Sequence, residues 1–388
     1  MILLTTLGVY VCGHNKYHKF GIDNISIKQF ERVDLDGIIE IYEFHNITVF
    51  VTINGIYACG TDNLGFLKPH NNHPLPVKLD IDEIKHISSN EDCIIYSTSD
   101  TTYGHGWIRR FGFDQSYFTT IPREVPLKNV IHVDCAYGHT LFFTEDAVYG
   151  CGDNYNYVLG VGQRYHLDNI ELIFTGKVTN YFTCSNCTIL ITNDGVYASG
   201  SNAFGQLGLG KKTYVDKFTK LEIENVISIS GSKYHLIFVT ENGTFGSGSN
   251  YSGMLGLGSI KKINKFTRLN VENVISAYHI KNRCTLFLTT NGVFGCGDNK
   301  FGNIGINQNS HILTPVRINL ENVYHILHRC YTVFISTDGV FGCGKGSHFG
   351  YDNIIFEPIR LPFKPEDIII SQPPLSKKRF GRTKSSKN

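Results

Sequence analysis

The chain has 388 residues and a formal net charge of +2, with 39 glycines, 26 phenylalanines and 21 tyrosines but only 2 methionines and 1 tryptophan. Abundant glycine and aromatics without long Ala/Leu/Glu stretches exclude a helical bundle and favour short strands joined by tight turns. The last 18 residues carry Lys377, Lys378, Arg379, Arg382, Lys384 and Lys387 and no acid, so the remainder stands at −4 once these six cations are taken from +2; a mildly acidic body with a basic tail is expected.

The N-terminal MILLTTLGVYVCG lacks a basic leader, a long apolar core and a small-residue cleavage site. No apolar run approaches the roughly 18 residues of a membrane-crossing helix. With 11 cysteines, an odd number, the expectation is reduced thiols in an intracellular protein, cytoplasmic or nuclear, with no membrane association.

One motif then recurs along the chain. GVYVCG ends at Gly13, GIYACG at Gly60, TTYGHG at Gly106, AVYGCG at Gly152, GVYASG at Gly200, GTFGSG at Gly248, and GVFGCG at both Gly297 and Gly344. Each copy follows two short apolar strands, such as NVISIS at 225–230 and HLIFVT from His235. Each precedes an Asn turn with a Leu-Gly pair, such as SNAFGQLGLG at 201–210, and a weaker strand, such as FTKLEI at 218–223. Four short strands per repeat at a spacing of 46 to 49 residues predict an all-β propeller over 1–371, one blade per repeat. Eight blades are preferred, the ring closing if PEDIIIS near the C-terminus pairs beside ILLTT at the N-terminus and removes the exposed edges. Seven blades with a spare part is the alternative. Residues 372–388 have no core-forming pattern and read as a disordered basic tail.

The repeat assigns its glycines structural work. Gly195 and Gly339 are expected in two-residue Asn/Asp-Gly hairpin turns, and Gly200 and Gly248 where the backbone approaches closely near the propeller axis. Cys12, Cys59, Cys151, Cys296 and Cys343 share one column with Ser199 and Ser247, as small residues near that crowded axis. A phosphate-cradling role for the Gly-rich stretches is disfavoured, since GCGKGS at 342–347 lacks the Gly-Lys-Ser/Thr order.

The combination of DGVYxxG, SNxxGQLGLG and GxxHT resembles the regulator of chromosome condensation repeat family, with NDGVYASGSNAFGQLGLG at 193–210 the best match. The resemblance spans residues 1 to about 371 and implies the propeller fold. It does not fix a function, because the family includes a nuclear GTPase exchange factor, ligase- and kinase-associated propellers and secreted enzyme inhibitors. Its founding member implies nucleotide exchange on a small GTPase. That activity relies on an inserted wedge, for which the even spacing leaves little room, although the loop at 67–76 remains. The family histidine of GxxHT falls at His139 and His235 but becomes Ile47, Cys93, Cys187, Cys284 and Tyr331 elsewhere, which points to half-buried packing.

No nucleophile elbow, kinase signature or zinc-peptidase pattern occurs, so no enzyme activity, catalytic residue, cofactor or metal is expected. His70, Asn72 and His73 read as a solvated loop beside Pro74 and Pro76. Cys184 and Cys187 form a CxxC pair without the second pair or thioredoxin-like context that a zinc or redox role would want, so packing is expected there and metal or redox chemistry is disfavoured. Two patches stand out as candidate partner sites: Trp107, Arg109 and Arg110 in the degenerate third repeat, and a basic rim of Arg164, Lys211, Lys212, Lys261 and Lys262 at matching offsets in three repeats. The expected function is a monomeric, non-enzymatic protein-interaction scaffold acting through loops on one face. Small-GTPase exchange and nucleic-acid binding through the tail and rim are the alternatives.

Overall fold

The computed structural model describes residues 1–67, 72–113, 117–280, 284–329 and 331–370. Seven consecutive four-stranded antiparallel sheets follow the repeats; blade 2, for example, holds Ile38–Glu43, Ile47–Thr52, Gly55–Thr61 and Asn72–Lys78. Blade 1 has the three strands Ile2–Thr5, Gly8–His14 and Ser26–Arg32. The C-terminal segment supplies its innermost place. Thr5 bridges Ile368 antiparallel, the Thr6 N–H donates to Asp367 O at 2.8 Å and the Ile369 N–H to Leu4 O at 2.9 Å. Met1, Leu3, Tyr331, Val333, Phe349 and Ile368 are buried together across this seam. The ring therefore closes with eight blades, and closure removes edges that would otherwise pair with other chains.

First strands of successive blades touch one another and line the axis. Second strands are buried along their whole length, as in His235–Thr240 and Cys284–Thr289, because blades stack on both of their faces. The last strand of blade 2, Asn72–Lys78, takes in His73, Pro74 and Pro76, which the sequence suggested as loop. An outermost strand has one unpaired edge, so it tolerates prolines. His70 lies outside the described residues.

Three sequence expectations need correction. The hairpin turns sit one residue earlier than expected: Thr192 pairs with Gly195 and Ser336 with Gly339, leaving Asn193–Asp194 and Thr337–Asp338 as the turn residues. The hydroxyl at the end of the second strand sets this register. Ser336 Oγ accepts from the Asp338 N–H at 3.0 Å, and Thr289 Oγ1 from the Asn291 N–H at 3.1 Å, a side-chain-closed turn.

The second glycines are not at the axis. They lie on third strands, where the pairing to the fourth strand slips by two residues in every blade, as between Ala58 and Gly60 or Ala198 and Gly200, the extra residues lying on the fourth strand. All eight have positive φ, from 95° at Gly152 to 125° at Gly60. They sit beside this bulge, and their missing Cβ lets the second strand's entry pass close by.

The cysteine column is likewise two strands out from the axis, at the joint between blades. There Cys151 Sγ lies 3.4 Å from Arg110 O and Cys296 Sγ 3.5 Å from Met254 O, while Ser199 Oγ donates to Val158 O at 2.8 Å and Ser247 Oγ to Gln206 O at 2.6 Å. Thr285 and Thr332 donate to Met254 O and Asn303 O at 2.8 and 2.7 Å. Blades 4 to 8 thus offer small donors to a carbonyl of the preceding blade's loop, which explains the Cys and Ser of the column there, whereas blade 3 carries the larger His105 at the same position and Cys12 of blade 1 meets Ile27 O of its own blade.

Candidate interaction face

Antiparallel strands place the loops between first and second and between third and fourth strands on one side of the ring, here the upper face. The hairpin turns and blade-to-blade links lie on the lower face. Trp107 ends the third strand of blade 3, and the other seven candidate partner residues fall in third-to-fourth loops of blades 3 to 6, so the fold brings all eight to the upper face.

In blades 4 to 7 this loop is shaped by one buried asparagine. Asn202 Oδ1 accepts from the Leu207 N–H at 2.8 Å while its Nδ2 donates to Lys212 O at 2.6 Å. Asn250 repeats this with Leu255 and Ser259, and Asn299 with Ile304, Ile306 and Gln308. In blade 2 Asp62 accepts from the Leu64 and Leu67 N–H groups. A buried amide that satisfies two backbone groups costs more to lose than one surface bond. Asn202→Ala is expected to lower stability by about 2 kcal/mol and to speed amide exchange across 203–212 while leaving blade 7 unchanged, as read by hydrogen exchange.

The candidates differ in availability. Trp107 is 45% exposed and packs edge-on against Phe118, with ring centroids 5.9 Å apart. Arg109 pairs with Asp168 at 3.0 Å. Arg110 is consumed within the fold: it bonds Asp92 and Asp153, each at 2.8 Å, and Gly138 O, tying blade 3 to blade 4. Arg164 holds both oxygens of Glu171, at 2.9 and 2.8 Å. Lys262 donates to Ala203 O at 2.7 Å. Lys211, Lys212 and Lys261 are exposed and enter no ion pair among the described residues. Lys377, Lys378, Arg379, Arg382, Lys384 and Lys387 of the tail lie outside the described residues.

Sequence reasoning missed the aromatic share of this face. Tyr137 is 78% exposed, Tyr155 67% and Tyr251 63%, and Phe204 and Tyr214 are also exposed. Phe204 meets Tyr234 edge-on at 4.9 Å, with Lys233 Nζ 4.9 Å from the Tyr234 ring. The signal was present in the sequence, since Tyr155, Phe204 and Tyr251 each follow the loop asparagine by one or two positions. The lower face instead exposes Leu7, Ile39, Ile53 and Ile275.

Two depressions mark the upper side. A groove of about 590 Å³ runs past Asp92, Arg110, Asp134, Tyr137, Asp153 and Cys184. A second cavity of about 420 Å³ is lined by Lys19, Glu43, His132, Asp134, Tyr181 and Arg329. Burial alone would raise the Glu43 carboxyl, but Arg329 at 3.2 Å and Lys19 at 2.8 Å outweigh it and hold the group below its usual range. Asp134 is shifted the other way by burial, against the opposing bond from Thr183.

No protein-family model matches the chain, and no curated protein matches it. Solved structures do. Prp20p from Saccharomyces cerevisiae aligns at 17% identity over 84% of this chain and 91% of that one, with a TM-score of 0.62. Yeast RCC1 (Prp20) bound to Kap60 aligns at 16% over 94% and 84%, TM-score 0.59. Human WBSCR16 aligns at 22% over 75% and 85%, TM-score 0.57. At these identities the likeness establishes the fold alone, a β-propeller similar to those of these structures. No helix among the described residues is long and apolar enough to cross a membrane.

Proposed function

We propose that the chain is a non-enzymatic protein-interaction scaffold that engages its partner through the upper-face loops of blades 3 to 6. The carrying observation is the concentration there of exposed Trp107, Tyr137, Tyr155, Phe204 and Tyr251 beside Lys211, Lys212 and Lys261. Large aromatics with neighbouring cations are the residues that anchor interfaces, and loops held on a rigid ring lose little conformational freedom on binding. The structure of Prp20p is described with its binding to Gsp1p and histones, so propellers of this fold do serve as binding platforms. Nine of the ten described cysteines are buried, and an intracellular setting forms part of this reading.

Nucleotide exchange on a small GTPase is the second reading, favoured by the fold match to a protein that binds Gsp1p. One experiment addresses both: capture of proteins from nuclease-treated extract by the purified full chain, read by mass spectrometry. The scaffold reading expects a stoichiometric protein whose recovery falls at least about tenfold with Trp107→Ala or with Lys211→Glu/Lys212→Glu. A small GTPase retained only when nucleotide-free, with accelerated nucleotide release, would replace it with exchange. Retention of nucleic acid alone, when nuclease is omitted, would move the function to the tail and rim. Capture that ignores these substitutions would exclude this face.

A further inference from the structure

Cys184 and Cys187 flank the two-residue turn Ser185–Asn186 that joins the first and second strands of blade 5 on the upper face. Their Sγ atoms lie 3.1 Å apart. The Cys184 N–H donates to Cys187 O at 3.0 Å, which sets the two residues opposite each other across the closed end of a hairpin. The turn has little freedom to separate them. Gly200 packs so tightly against it that an added Cβ would stand 2.4 Å from Asn186 O and 3.1 Å from Cys187 Cβ. Asn156 Nδ2 also reaches Asn186 Oδ1 at 3.4 Å.

The two thiols differ in access. Cys187 is fully buried, whereas Cys184 is half-buried and forms part of the wall of the 590 Å³ groove. Every other described cysteine is buried. Cys93 and Cys135, the next pair to approach, stand 4.0 Å apart inside the core. Reactivity of a thiol follows its thiolate fraction and its access. The hydrogen bond with Cys187 is the largest influence on Cys184 and holds it below the ordinary thiol range; backbone N–H groups of Asn186 and Cys187 add to this against the opposing effect of burial. Burial pushes Cys59 the other way, up to about 12.

We propose that Cys184 and Cys187 are a reversible oxidation site on the wall of the upper-face groove, in which a hydroperoxide converts the two thiols into one intrachain disulfide. Cys184, the accessible member, attacks the peroxide oxygen. The O–O bond breaks, the departing alkoxide takes up a proton as alcohol, and Cys184 becomes a sulfenic acid. Cys187 then attacks the Cys184 sulfur, the S–O bond breaks, and hydroxide leaves as water with the proton that Cys187 gives up. Two thiols and one hydroperoxide yield one disulfide, one alcohol and one water, with two electrons passing to the peroxide. A dithiol reverses the process by exchange. This chemistry does not depend on the identity of any partner.

The test uses the full chain and hydrogen peroxide. After graded oxidation the protein is denatured, remaining thiols are alkylated, and the peptide spanning 178–211 is mapped by mass spectrometry. The expected result is loss of alkylation at both Cys184 and Cys187, with removal of two hydrogens from the peptide, at about tenfold less peroxide than oxidises the buried Cys59, Cys151 or Cys296. Dithiothreitol should restore both sites. Cys187→Ser should leave a sulfenic acid on Cys184 that dimedone traps, and the unaltered chain should trap little. Over-oxidation of Cys184 to sulfinic acid without linkage would overturn the proposal, as would linkage no faster than oxidation of the buried thiols. Should Cys187→Ser fail to fold, the mapping of the unaltered chain decides alone.

Discussion

Gly60→Ala is expected to destabilise the propeller by roughly 3–5 kcal/mol, among the largest losses available to a single methyl group. Two costs add at this position. Gly60 holds φ at +125°, a conformation that side-chain-bearing residues avoid at about 1–2 kcal/mol. A Cβ would also stand 2.1 Å from Asn46 O and 2.8 Å from Ile47 Cα. Both obstacles are backbone at the entry of the second strand, which is paired on each side and packed between blades, so neither can yield as a flexible side chain would. Gly162→Ala separates the two costs. Gly162 has φ of +80° with nothing within 4 Å of the added Cβ, so about 1 kcal/mol is expected there from conformation alone. Urea midpoints of the two variants give the comparison. Equal losses would show that the bulge glycines are kept for φ only and that strand entry has room to spare.

That contrast also shows what the sequence did and did not disclose. The spacing of Gly13 through Gly344 determined the blade count, and the likeness of PEDIIIS to the first strand of other repeats located the closure that Thr5 and Ile368 make. Both are properties of order along the chain, which a repeat preserves. Distance from the axis is not such a property. Nothing in GVYASG says that its strand stands third from the axis, so Gly200 and the cysteine column were misplaced by two strands, and the inter-blade donor role shared by Cys151, Cys296, Ser199 and Ser247 stayed hidden. The candidate face was half legible. Matching offsets in the repeat carried Lys211, Lys212 and Lys261 to one side, but Arg110 was spent on Asp92 and Asp153, residues of the preceding and following turns that no spacing rule links to it. The meeting of the Cys184 and Cys187 sulfurs was open to sequence reasoning only as proximity; the closed turn that sets one thiol on the groove wall and the other inside the fold is a matter of register.

The histidines of the second-strand column offer the clearest pH signature. The sequence suggested half-buried packing, whereas His139 is 1% exposed and His235 fully enclosed. Burial lowers the His139 imidazole from 6.5 to about 4, the nearby Asp153 opposing and Arg110 assisting. His235 is lowered as well, by burial first and by His279, whose ring lies 4.4 Å away, second. A base whose folded-state affinity for protons is depressed binds fewer protons folded than unfolded between the two values, so stability rises with pH across that window. The expectation is therefore a chain that is stable above about pH 6.5 and loses about 3 kcal/mol through His139 alone as pH falls towards 4, with His235 adding in the same direction. His139→Cys places there the residue that blades 3, 5 and 7 already use at Cys93, Cys187 and Cys284, and combining it with His235→Cys removes both titrations. The double variant should unfold at nearly the same temperature as the parent at pH 8 but show a much shallower decline from pH 6.5 to 4, as followed by circular dichroism. An unchanged slope would mean that both imidazoles already take up protons in the native ring, and that the blade joints admit water to a column that the packing closes.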